Sequence, residues 1–242
     1  MAILEARGRA IGYLQMVRAL IDVAELHPGE AVLEVGCGSG VLMRWLARHT
    51  AGRNRINGID ISPYLLREAE ALARREGLED AVEFREGNAE ALSFPEGSFD
   101  VVMSVTVIEE ADAERMLAEM ARVTKPGGRV AVIARAVDMT FPMNLPLSDR
   151  LKAKIEAPGF MGHASPQGCG DASLYRRFGQ AGLTRVKMLP QLAAFDQADA
   201  TILGFLEASL LQKLDQEDRR EWQAARAEAD ALGTFFMAWP HH

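Results

Sequence analysis

Nine residues constrain this chain more than any others: Val32 to Gly40, VLEVGCGSG. The apolar run from Ala31 to Val35, broken only by Glu34, opens into Gly36, Gly38 and Gly40 at alternate positions and then into the helix-like stretch LMRWLARH. This order reads as a strand, a tight turn and a helix start. Glycines at such a turn permit positive φ and let the main chain approach a ligand with no Cβ between. Where strands and helices alternate in this way, ligands collect at the carboxyl ends of the strands. A dinucleotide turn of the form G-x-G-x-x-G would place its third glycine at position 41, which is Val41, so the spacing speaks against NAD.

The next elements follow at the intervals of a doubly wound fold. RINGIDI, Arg55 to Ile61, is a second short apolar strand, and Asp60 closes it about twenty residues past the glycines, where such folds place an acid for ribose hydroxyls. Ser62 and Pro63 form an N-cap and first helical position, and the helix they begin is expected to stop at Gly77. AVEFREG and FDVVMSV supply two more strands around a turn-rich segment. KPGG at 125–128 turns into a fifth strand, RVAVIAR. TRVKMLPQLAAF reads as a sixth strand and GTFFMAWP as the last, with the helical pair ATILGFLEASLLQKL and QEDRREWQAARAEADAL between them.

The E-x-G-x-G-x-G turn, Asp60, the pair Asn88 and Ala89 after the third strand, VIEEAD after the fourth and KPGG before the fifth cover about residues 30–135. In this order they resemble the class I S-adenosylmethionine-dependent methyltransferases, especially the small-molecule branch that includes quinone-biosynthesis enzymes. The resemblance implies an α/β fold with a doubly wound sheet of seven strands, the last antiparallel, and S-adenosylmethionine at the carboxyl ends of strands one, two and four. It implies a cofactor site built from Glu34, Gly36, Cys37, Gly38 and Gly40, with Asp60 and Ile61 at the ribose. Asn88 and Ala89 would meet the adenine, and Ser104 and Val105 would lie at the end of strand four. Asn88 stands where the family has Asp, and its side-chain carbonyl can still accept from an exocyclic amine. The implied reaction is methyl transfer to O, N or C of a small, partly apolar acceptor, with alignment contributing several kcal/mol. Two alternatives stay open: non-methylating chemistry on the same cofactor, and a SAM-binding protein without turnover.

At 242 residues and 48% hydrophobic content, one domain spanning 1–242 is expected. A net charge of -7 argues against a nucleic-acid surface. Cys37 and Cys169 give neither a disulfide framework nor metal-ligand spacing, so no metal is expected. With no apolar signal core and no stretch long enough to span a bilayer, the cytoplasm is the expected compartment, as a monomer or a homodimer.

Substrate selection is expected from residues 1–28, 136–172 and 197–232, outside the cofactor half. Residues 9–26 form an amphipathic helix from which Tyr13 and Arg18 can reach a ligand. The long segment after strand five, rich in Met, Phe, Pro and Gly, reads as a pocket or lid lined by Met139, Phe141, Met143, Phe160 and Met161. His163, inside it, is the first candidate for a base, with Glu109, Glu110 and Asp138 as rivals. His241 and His242 are assigned no role.

Overall fold

The computed structural model describes residues 1–162 and 165–242, so His163 lies outside the described residues. Two helices lead, α1 (Ala2–Arg7) and α2 (Ile11–Ala24), followed by the alternating run β1 (Ala31–Val35), α3 (Val41–His49), β2 (Arg55–Asp60), α4 (Pro63–Arg75) and β3 (Val82–Glu86). Then come β4 (Phe99–Val105), α5 (Ala113–Val123), β5 (Thr124–Ile133), α6 (Asp149–Ile155) and α7 (Ser173–Gln180). The chain ends with β6 (Gln191–Asp196), α8 (Ala200–Leu211), α9 (Gln216–Leu232) and β7 (Phe236–His241).

Five strands form a parallel sheet in the order β3-β2-β1-β4-β5. The order reverses between β1 and β4, and the crevice outside their carboxyl ends is where open α/β sheets bind ligands. β4 is apolar almost throughout because both its faces are covered. Val101, Met103 and Val105 enter one core cluster, while Phe99 and Val102 enter the other with the buried face of α5. α4 begins as its sequence requires, with the Ser62 hydroxyl accepting from Leu65 N–H at 3.3 Å and Pro63 in the first turn.

The expectation of seven strands in one sheet holds for five. β6 and β7 pair antiparallel with each other as a separate two-stranded sheet. The chain after β5 touches that sheet through an isolated antiparallel bridge between Arg135 and His241 and through Ala136 N–H to Pro240 O at 2.9 Å. The expected sixth strand began at Thr184, but pairing starts only at Gln191, immediately after Pro190, which has no N–H to give a ladder. The expected turn at 125–128 lies inside β5 as a break in register, where the pairing jumps from Phe99–Thr124 to Val101–Arg129.

α8 packs on α1, and α2 packs on β5 and β6, so helices from both ends of the chain meet over one end of the parallel sheet. Trp222 of α9 is fully buried and donates to Glu207 Oε1 of α8 at 2.5 Å. Among the described residues, no helix is long and apolar enough to cross a membrane, and no cluster of His, Cys, Asp and Glu could hold a metal ion.

Candidate active site

The turn after β1 is held by hydrogen bonds from its own backbone. Gly36 and Cys37 N–H both donate to Ile59 O at 2.8 Å, which fixes the start of the loop against the end of β2. Gly38 N–H donates to Asp60 Oδ2 at 2.8 Å, and Ser62 N–H donates to Oδ1 of the same carboxylate at 2.9 Å. Asp60 therefore positions the loop, and a carboxylate offers about four acceptor sites, so two remain for a ligand. Gly36 and Gly40 have φ of +75° and +72°. Their missing Cβ atoms also leave room for protein: a Cβ on Gly40 would lie 2.7 Å from the Phe84 ring, and one on Gly36 would strike Val107.

Beneath the loop, Glu34 is buried and its Oε2 has no hydrogen-bond partner. Burial, then the nearby Asp60, pushes its carboxyl well above the usual carboxylate range, against the pull of Met43 N–H and Arg44. Burial likewise pushes the Cys37 thiol up, with Glu34 and Asp60 adding to it, which leaves it no nucleophile. Across the loop lies α1. Glu5 accepts from Ser39 Oγ at 2.6 Å and from the buried Arg44 at 2.7 Å. Six residues carry no readable period, so no local pattern signals this strap.

The remaining expected cofactor residues divide by exposure. Ile61 is 72% exposed at the end of β2 and presents an apolar side chain to any planar ring placed there. Asn88 is exposed, and its Oδ1 accepts from Glu90 N–H at 2.9 Å. Ala89 packs against the second core cluster. Ser104 is fully buried and donates to Val35 O at 2.8 Å, a tie between β4 and β1 within the sheet, and Val105 is core.

Beyond β4 and β5, a cavity of about 440 Å³ opens between α2, α8 and the segment after β5. Tyr13, Met139, Phe141, Phe160, Met161 and Glu109 all line it. Phe141 stacks on Trp239 at 5.0 Å. Four expected residues, Glu110 among them, are elsewhere. Arg18 is exposed on α2, Met143 bridges to Met237, and Asp138 accepts from Ala172 N–H at 2.8 Å and pairs with His242 at 2.6 Å. Burial would raise the Asp138 carboxyl, but His242 and Ala172 hold it below the usual range. Met143 and Asp138 share a sequence segment with the lining, but Met143 is drawn to Met237 of β7 and Asp138 to Ala172 and His242, contacts with distant parts of the chain that no local pattern signals.

Glu109 is the expected acid that reaches the cavity. Its Oε1 accepts from Arg135 N–H at 2.7 Å and Arg135 Nε at 2.9 Å, while its buried Oε2 has no partner. Burial raises this carboxyl, and Arg135 opposes the rise. Glu110 is exposed and meets Arg135 at 3.2 Å. The sequence reading missed Arg7, Thr106, Arg135 and His241, which also line the cavity. His241 is buried, and its Nδ1 donates to Trp239 O at 3.0 Å. Burial is the largest cause holding its pKa down to about 4, so the ring is neutral at pH 7 with Nε2 unprotonated. A larger cleft of about 610 Å³ runs along β5 and residues 183–189 and holds none of the expected substrate residues.

A parallel sheet reversing beside a glycine turn, with an acid at the end of the next strand, defines a nucleoside-binding α/β domain. Residues 32–128 match the family described as a methyltransferase domain, and this segment belongs to the class I S-adenosylmethionine-dependent methyltransferases. Methyltransferase GfsG of Streptomyces halstedii is 37% identical over 119 residues, covering 49% of this chain and 42% of that protein. Aklanonic acid methyltransferase DauC of Streptomyces sp. (strain C5) is 38% identical over 120 residues, covering 49% and 54%. The chain thus spans about half the length of the curated relatives it matches. The crystal structure of YcgJ from Bacillus subtilis shares the fold, with a TM-score of 0.63 over 94% of this chain and 95% of that one at 16% identity.

The cofactor of such a domain is S-adenosylmethionine. The residues present fit it. The loop turns through positive φ, Asp60 keeps free acceptor sites for a ribose, and an unpartnered buried carboxylate oxygen lies under the turn.

Proposed function

We propose that this chain transfers the methyl group of S-adenosylmethionine to a small, partly apolar organic acceptor. One observation carries the reading: the glycine turn of the methyltransferase domain and a largely apolar cavity share one end of the sheet. Thr106, the residue after β4, lines the cavity, and Val107 next to it packs on Gly36 of the turn. Asp60, Ile61 and the loop backbone would hold the cofactor, with Asn88 and Ala89 at its adenine. Bound there, the cofactor supplies an electrophilic methyl group on a good leaving group. The chain's own residues do the rest by alignment, which supplies several kcal/mol when the reacting atoms are held near contact.

Tyr13, Met139, Phe141, Phe160 and Met161 would seat the acceptor and exclude water from it. For an acceptor protonated at the working pH, the base is drawn from His163 and Glu109. The net charge of -7 and the two unpaired cysteines support a free small-molecule acceptor, not nucleic acid, and a cytoplasmic enzyme acting alone or as a homodimer. The pairing of residues 134–136 with 240–242 supports counting β7 and β6 as the outer, partly detached strands of a seven-stranded sheet. Incubation with S-adenosylmethionine and a panel of flat aromatic acids, phenols and amines tests the proposal. S-adenosylhomocysteine formed in step with a methylated product supports it. Cofactor binding with no transfer to any class of acceptor counts against it.

A further inference from the structure

We propose that Arg7 is the anion receptor of this cavity, so that the acceptor enters with an ionised oxygen, a carboxylate or phenolate, on a flat apolar body. The inference rests on the reading of the cavity as the acceptor site. Arg7 closes α1, and its Nη1 donates to Thr106 Oγ1 at 3.3 Å, the one side-chain hydrogen bond it makes among the described residues. No carboxylate lies within ion-pair distance of it there. A guanidinium has five N–H donors, so most of this one is uncommitted where it lines the cavity.

The contrast with Arg135 is instructive. That side chain lines the same cavity, but Glu109 and Glu110 neutralise it at 2.9 and 3.2 Å. Tyr13 and His241, the other polar groups near Arg7, carry no charge at neutral pH. The wall therefore holds three cations, Arg7, Arg135 and the exposed Lys213 of the turn after α8, against one lining carboxylate, Glu109, whose own proton affinity burial raises. Burial is the main influence against charge on Arg7, yet a guanidinium stays protonated. A half-buried cation without a carboxylate partner is costly, and the apolar side chains that line the same cavity, Met139 and Phe160 among them, reduce the water that would screen an incoming anion. A charge-assisted, bidentate contact is what a guanidinium offers a carboxylate.

Alkylation of an ionised oxygen releases no proton: the O–C bond forms as the S–C bond breaks, leaving a neutral ester or ether and a neutral thioether. Neither His163 nor Glu109 then has to take a proton.

Because α1 also straps the glycine turn, the amino-acid carboxylate of the cofactor is the other anion within reach of this helix, and the test separates the two. Anthraquinone-2-carboxylate and 2-(hydroxymethyl)anthraquinone are titrated into the full chain saturated with S-adenosylhomocysteine, as wild type, Arg7→Met and Arg7→Lys. The wild type should bind the acid about tenfold or more tighter than the alcohol, the worth of one charge-assisted contact. Arg7→Met should erase that preference while holding the affinities for the alcohol and for S-adenosylhomocysteine within about twofold, and Arg7→Lys should keep part of it. Equal binding of the two probes by the wild type, or no binding of the acid, overturns the proposal whether or not the variants fold. So does an Arg7→Met variant that weakens S-adenosylhomocysteine about tenfold and leaves the acid-to-alcohol ratio unchanged, since Arg7 would then serve the cofactor. A wild type that binds no S-adenosylhomocysteine removes the methyltransferase reading as well, a result distinct from equal probe binding with that ligand in place.

Discussion

Asp60 accepts from Gly38 N–H and Ser62 N–H, so the carboxylate expected to meet a ribose also sets the loop that surrounds it. Asp60→Ala should weaken S-adenosylhomocysteine binding by about 1.5–3 kcal/mol, the range for hydrogen bonds to a charged group. Asp60→Asn, which keeps one acceptor oxygen, should weaken it less; calorimetric titration of both variants is the check. Glu34 gives a pH prediction. Its folded carboxyl binds a proton more tightly than the unfolded one, chiefly through burial and then through Asp60, so stability falls as pH rises above the unfolded value of about 4.3. Glu34→Gln should raise the melting temperature of the ligand-free protein at pH 8, by about 2–4 °C for each kcal/mol relieved, and the gain should vanish toward pH 4. A melting temperature that the substitution lowers equally at both pH values would contradict it. Asp60, the glycines and the Ser62 cap were legible because each meets a local backbone requirement. Arg7, Arg135 and His241 were not, because their role depends on which distant elements close over them, and no local pattern encodes that.

At the scale of elements, the strands and helices from β1 to β4 follow from period and punctuation: apolar runs, a Ser-Pro start, glycines at helix ends. Two stretches did not. The segment before β6 has a strand-like composition, yet Pro190 delays pairing, and whether the resulting hairpin joins the sheet edge is decided by long-range hydrogen bonds. The segment after β5 reads as a lid from its composition, and four of its five expected lining residues reach the cavity, Met143 alone lying outside it because it pairs with Met237 of β7. Asp218 of α9 is fully buried and meets Arg150 of α6 at 2.6 Å, so the last helices are tied to that segment. Trp222→Ala should therefore cost about 3–5 kcal/mol, the usual range for emptying a buried aromatic site, and loosen the cavity wall that α8 supplies. Chemical denaturation measures the first effect; a loss under about 1 kcal/mol would mean that α9 is not part of the cooperative core.

For the whole molecule, the methyltransferase domain was legible because cofactor recognition is built from backbone turns with fixed spacing, whereas the proposed acceptor cavity is lined by side chains brought together from distant parts of the chain. Any ligand that binds only the folded state adds to stability, by about 2.7 kcal/mol at a hundredfold excess over its Kd, so cofactor and rival can be compared by binding and by melting on one sample. The most direct measurement is isothermal titration of the full chain with S-adenosylhomocysteine and with NAD, alongside Asp60→Ala. Saturable binding of S-adenosylhomocysteine, weakened in the variant, with no heat from NAD, is the predicted result. Tight binding of NAD together with no response to S-adenosylhomocysteine or S-adenosylmethionine would contradict the assignment of the glycine turn and everything built on it.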